Sequence, residues 1–115
     1  MTGELTQAVA RSADAAELHA PVPTLLLELQ TLLGTLCATV AAETNRGRKP
    51  FRPGPDWSQR LGELGYGVYL LADQTGVDLD DGVATTAQRL ADSAARPAPG
   101  PDPVSGDSDF FERNL

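Results

Sequence analysis

The sequence predicts an all-α fold: a bundle of about four helices over residues 1–96, followed by a disordered Pro-, Gly- and Asp-rich tail over 97–115. Apolar residues recur at helical spacing in successive segments, and proline, glycine and aspartate stand where those segments break. After Arg96 apolar content falls too low to offset chain entropy, apart from Phe110, Phe111 and Leu115. About twenty residues are thereby removed from the foldable part. Such a small helical core is often completed by a partner copy that covers an apolar face, so self-association is expected.

The first segment, Thr2 to His19, is Ala-rich and carries Leu5, Val9, Ala13, Ala16 and Leu18 at loosely helical spacing. Pro21 and Pro23 interrupt it, and Pro23 is tolerated in the first turn of a second helix running to about Glu43. Leu25, Leu29, Leu32, Leu36 and Val40 form one stripe of that helix. Leu26, Leu33 and Cys37 widen it beyond what one neighbour covers, so the helix is expected at the centre of a bundle or dimer. Cys37 is the only cysteine, which excludes an internal disulfide, and its apolar setting predicts a small buried core residue.

The stretch NRGRKPFRPGPD, residues 45–56, reads as a loop. Asp56 then resembles an N-cap, with Gln59 three residues on completing a capping-box-like pair. The helix it opens carries Leu61, Leu64, Val68 and Leu71 and stops at Gly76. Gly62, Gly65 and Gly67 each cost that helix about 1 kcal/mol against alanine, which predicts close backbone packing there. Asp78 caps a fourth helix with Asp80 and Asp81 in its first turn and an apolar line through Val83, Ala87, Leu90 and Ala94. The terminal DFFERNL reads either as an unstructured end or as a short docking segment.

The formal net charge is −7 and the sequence pI is about 4.4, which argues against general attraction to nucleic-acid polymers or an anionic membrane surface. No run reaches the roughly 18 consecutive apolar residues of a transmembrane helix, and the N-terminal stretch lacks a secretory pattern. A cytoplasmic location is the expectation. Against that acidic background, Arg46, Arg48, Lys49 and Arg52 place four cations within seven positions. They are read as a solvated helix-end cluster, as a phosphate-binding set, or as a contact for the acidic tail or a partner's acids. His19 is the only histidine and has no nitrogen partner for a metal site, and Trp57 is read as a packing anchor.

The stretch QRLGELGYGVYLLADQTGVDLDDGVATTAQRLA resembles the C-terminal helical half of MazG-like nucleotide pyrophosphohydrolases, through Leu71, Ala72 and Asp73 followed by Gly76, Val77, Asp78 and Leu79. LLLELQTLLGTL resembles that family's first metal-binding helix, and the likeness covers about residues 18 to 96. The resemblance implies an oligomeric helical protein, with Mg²⁺ held by carboxylates on two facing helices while water attacks a nucleoside triphosphate and pyrophosphate leaves. Aligned on Leu-Ala-Asp, the family's Glu-Glu-x-x-Glu falls on Thr31, Leu32 and Thr35, and its Glu-x-x-Asp falls on Arg60 and Glu63. A second register places Glu63 at the Glu position and Tyr66 at the Asp position. Either way Glu63 is the one retained metal-ligand candidate, and Thr86 and Arg89 stand near the family's later lysine and asparagine.

In that reading Glu63 holds Mg²⁺, while Arg46, Arg48, Lys49 and Arg52 hold nucleotide phosphates. Glu28 and Glu43 lie about four turns apart on one helix, too far to share an ion, and are read as solvated charges. Two functions remain open: a MazG-like pyrophosphohydrolase with most metal carboxylates replaced, or a non-catalytic helical interaction module that binds a protein partner through the basic loop or the tail.

Overall fold

A computed structural model of the protein describes residues 3–96. The tail expected over 97–115, with its DFFERNL segment, lies outside the described residues. Among those described, the structure is all-α, with four helices: α1 (Glu4–Ala15), α2 (Val22–Glu43), α3 (Trp57–Thr75) and α4 (Leu79–Ala95). They fall into two units, Met1–Leu79 and Asp80–Leu115, so α1 to α3 belong to the first and nearly all of α4 to the second.

The boundaries follow from local chemistry. Pro21 sits at the N-cap of α2 and Pro23 inside its first turn, where a missing N–H costs nothing. Gly76 ends α3 in the left-handed conformation at φ 71°, with its N–H bonded to Asp73 O and that of Val77 bonded to Ala72 O at 2.9 Å. The capping box expected at α3 does not form. Asp56 occupies the N-cap position in a helical conformation (φ −89°, ψ −4°) rather than the extended one typical of a capping residue, and it makes no side-chain cap bond. Gln59 instead turns along the helix and donates from Nε2 to Glu63 Oε1 at 3.1 Å.

In the first unit α3 is the central helix, packed against both α1 and α2. The sequence pointed instead to α2. The core is Val9 and Ala13 of α1, Leu25 of α2 and Leu70 of α3, with Ala20, Tyr66, Tyr69 and Leu71 packed around it. The buried face of α3 is therefore rotated from the expected line: Leu70 and Ala72 are buried, whereas Leu61 and Val68 are exposed. Tyrosines made the true face hard to see, because Tyr66 carries a hydroxyl into the packing and satisfies it with Ser12 Oγ at 2.7 Å.

Gly67 explains the close approach of α3 to α2. A Cβ there would lie 2.7 Å from Leu29 Cδ2 and 3.4 Å from Leu32 Cδ1. Gly62 and Gly65 have nothing within 4 Å of an added Cβ, so close packing accounts for only one of the three glycines. Replacing Gly62 and Gly65 together by alanine is expected to raise stability by about 1–2 kcal/mol through helix propensity, read as a higher urea midpoint. An unchanged or lower midpoint would mean that these two positions also hold a packed backbone.

The second described feature of α2 is what it leaves uncovered. Only Leu25 and Leu36 of its 22 residues are buried. Leu26, Leu27 and Leu33 are 47%, 64% and 52% exposed, and Cys37 is exposed rather than buried as expected. Glu28 and Glu43 are its only charges. By length and composition α2 is the one helix, among the described residues, apolar enough to cross a membrane. In the second unit, α4 has Asp80 and Asp81 in its first turn and buries none of its residues, Val83 being 58% exposed.

Candidate functional site

Two cavities open along the α2–α3 pair, one toward each end. The first, about 300 Å³, lies where the N-terminal half of α2 meets the middle of α3 and the α1–α2 connection. Leu18, Ala20, Leu25, Leu29, Leu32 and Leu70 give it an apolar floor, and Glu17, Glu28, Glu63, His19 and Tyr66 supply its polar groups. Residues three or four apart share a helix face, so Leu25, Glu28, Leu29 and Leu32 turn together toward Glu63, Tyr66, Gly67 and Leu70 of α3. The lack of a side chain at Gly67 lets Leu29 reach across the junction.

His19 is built into one wall. Its Nε2 lies 2.6 Å from Asp73 Oδ2 and its Nδ1 3.3 Å from Asp14 Oδ1, so the ring bridges the end of α1 to α3. An ionised carboxylate only accepts hydrogen bonds, so Nε2 donates to Asp73. The Asp73 of the Leu-Ala-Asp stretch therefore serves as a structural anchor in this unit. His19→Ala is expected to lower stability by about 1 kcal/mol, because the pair is partly solvated, and Asp14→Asn by much less, Asp14 being 77% exposed. Urea unfolding of the two variants measures this, and equal losses would contradict the assignment to Asp73.

Glu63 borders the first cavity together with Glu28, which is exposed as a solvated charge is expected to be. Thr31 and Thr35 donate their hydroxyls to Leu27 O and Thr31 O of their own helix at 3.1 and 3.0 Å. Among the described residues no group of three or more His, Cys, Asp or Glu side chains is placed to hold a metal ion. Glu17, Glu28 and Glu63 all border the first cavity, but with His19 they do not gather into such a group.

The basic residues lie toward the other end of α2. From Leu32 to Glu43 the helix rises about 16 Å, and the turn carrying Arg46, Arg48 and Lys49 follows Glu43. The second cavity, about 270 Å³, lies here, bordered by Thr39, Ala42, Glu43, Gly54, Pro55, Asp56, Trp57 and Arg60. Trp57 packs edge-to-face on Phe51 with ring centroids 4.9 Å apart, the anchoring role expected of it. Arg60 does not pair with Glu63; its Nε is buried without a hydrogen-bond partner among the described residues. Sequence signals gave no hint of that orphan donor, because burial of one guanidinium edge depends on how α2 and α3 meet.

Fold and site together define a small all-α protein with an acid-rimmed apolar cavity and a separate basic turn. No protein-family model, curated protein or solved structure matches the chain.

Proposed function

We propose that the chain is a catalytically degenerate MazG-like protein: it keeps the two-helix scaffold of a nucleoside triphosphate pyrophosphohydrolase and works as a cytoplasmic, self-associating interaction module. The observation that carries this reading is the outward face of α2, with Leu26, Leu27, Leu33 and Cys37 exposed on a helix that has only two charges. Contiguous apolar surface of this kind marks an interface. A second copy of the same helix is its natural occupant, since the absence of charge at Leu26, Gln30, Leu33, Gly34 and Cys37 lets the face meet itself without like-charge repulsion.

Cys37 reports on this directly. At micromolar concentration its alkylation by a maleimide is expected to be slowed at least tenfold relative to the urea-unfolded chain, and to speed up on dilution. A thiol that reacts at the unfolded rate at every concentration would remove the α2 contact. Protection that appears only with added lipid vesicles would assign the face to a bilayer instead.

A second reading is favoured by one observation. Glu28 and Glu63 border a single cavity from two facing helices. In this reading the pair holds Mg²⁺ through the oxygens of a bound nucleotide, and the protein retains slow pyrophosphate release. Incubation with Mg²⁺ and a nucleoside triphosphate panel tests it: activity lost in both Glu28→Ala and Glu63→Ala supports the hydrolase, and activity indifferent to both removes it.

A further inference from the structure

The turn between α2 and α3 concentrates positive charge outside both the apolar face and the residues that line the acidic cavity. From Glu43 to Arg60 the chain carries five of its nine cations and only two acids, Glu43 and Asp56, leaving the other fourteen acids to the remainder. Among the described residues, none of Arg46, Arg48, Lys49 and Arg52 is ion-paired, and all four are exposed.

The turn is held in one shape. Thr44 is buried at 8% exposure; its hydroxyl donates to Val40 O at 2.7 Å and accepts from the Gly47 N–H at 3.1 Å. Asn45, Arg46 and Gly47 follow one another at φ 48°, 60° and 87°. The N–H groups of Arg46, Arg48 and Lys49 bond to Ala41 O, Asn45 O and Thr44 O at 2.8, 3.3 and 3.0 Å. The backbone donors of residues 44–49 are therefore occupied, and there the side chains are what the turn offers to a ligand. Arg46 is held in the left-handed region, which disfavours a side chain, and the surrounding bonds maintain it.

We propose that this turn binds a compact polyphosphate, inorganic or esterified, through the side chains of Arg46, Arg48, Lys49 and Arg52. Guanidinium forks match phosphate oxygens two at a time, and four cations balance the three to four charges of a triphosphate. Compactness is the deciding feature. A nucleic-acid duplex carries one charge per about 1.7 Å, so its flanks would run along the acidic remainder of the chain, whereas a triphosphate confines its charge to the turn. The second cavity is not the phosphate seat, because Glu43 and Asp56 border it. The Phe51–Trp57 pair next to the turn offers an aromatic edge to an ester group and places the chain's only tryptophan beside the ligand.

The test is a titration of the full chain with sodium triphosphate, without metal, followed by Trp57 fluorescence at constant ionic strength. A saturable change is expected, with amide shifts centred on Gly47 and Gly54 by NMR. R48Q/R52Q weakens binding about tenfold or more while Arg11→Gln, on the exposed side of α1, leaves it unchanged. A nucleoside triphosphate that binds more tightly than triphosphate identifies an ester as the ligand; equal binding identifies free polyphosphate. The proposal is overturned if matched sodium chloride produces the same change, if amide shifts fall elsewhere, if R48Q/R52Q binds like the unsubstituted chain, or if a duplex oligonucleotide outcompetes triphosphate. None of these readouts depends on how the outward face of α2 is covered.

Discussion

If the protein self-associates through α2 as proposed, replacing Leu26 and Leu33 together by aspartate should leave a 12.1 kDa monomer. Both leucines lie on the outward face of α2, about half exposed, and neither belongs to the buried core of the first unit. Fully burying a leucine contributes about 1.5–3 kcal/mol, and Leu26 and Leu33 start about half buried, so the four that two subunits bring together contribute roughly 3–6 kcal/mol. Aspartate removes this gain and adds facing negative charges that would have to be desolvated. The dissociation constant is expected to rise at least about a thousandfold, roughly 4 kcal/mol. Light scattering after gel filtration measures the mass, with circular dichroism showing that the helices remain. A variant that keeps the parent mass would place the interface elsewhere.

The second large effect is expected at Leu25. It is 2% exposed and joins Val9 and Ala13 of α1 to Leu70 of α3, so it is the one large α2 side chain in the three-helix core. Leu25→Ala should cost about 2–5 kcal/mol, the removed methylenes plus the cavity they leave. That loss is large for a unit whose buried apolar set is Val9, Ala13, Leu25, Leu36, Leu70 and Ala72, because small domains start from a narrow margin of about 5 kcal/mol or little more. Leu5→Ala, at a site 63% exposed on α1, should stay within about 0.5 kcal/mol. Urea denaturation of the two variants checks the contrast. Similar midpoints would mean that α1 and α3 do not close over Leu25 as described.

Helix existence was legible because its signals are local: Pro23 in a first turn, Gly76 in a left-handed stop, and apolar residues returning every three or four positions. The order of packing was less legible. α2 is the most apolar helix and reads as the middle of a bundle, yet within its unit α3 takes that place. Helix α3 can do so because Gly67 thins one side against Leu29 while Tyr66 and Leu70 fill the other, a division that a count of leucines does not reveal.

The same excess of apolar residues on α2 explains Cys37. A small thiol in a leucine-rich run predicts burial only if every apolar face finds a neighbour within the chain, and this face finds none in its own unit. At the site, the scarcity of carboxylates on α2 was visible in the sequence, whereas the bordering of one cavity by both Glu28 and Glu63 required the meeting angle of two helices.

Sedimentation equilibrium of the unsubstituted chain over a hundredfold range of concentration addresses the account most directly. A mass of at least twice 12.1 kDa at micromolar concentration, falling toward 12.1 kDa on dilution, is the predicted result. A single 12.1 kDa species throughout, in the absence of any lipid or partner, would contradict a protein organised around the outward face of α2.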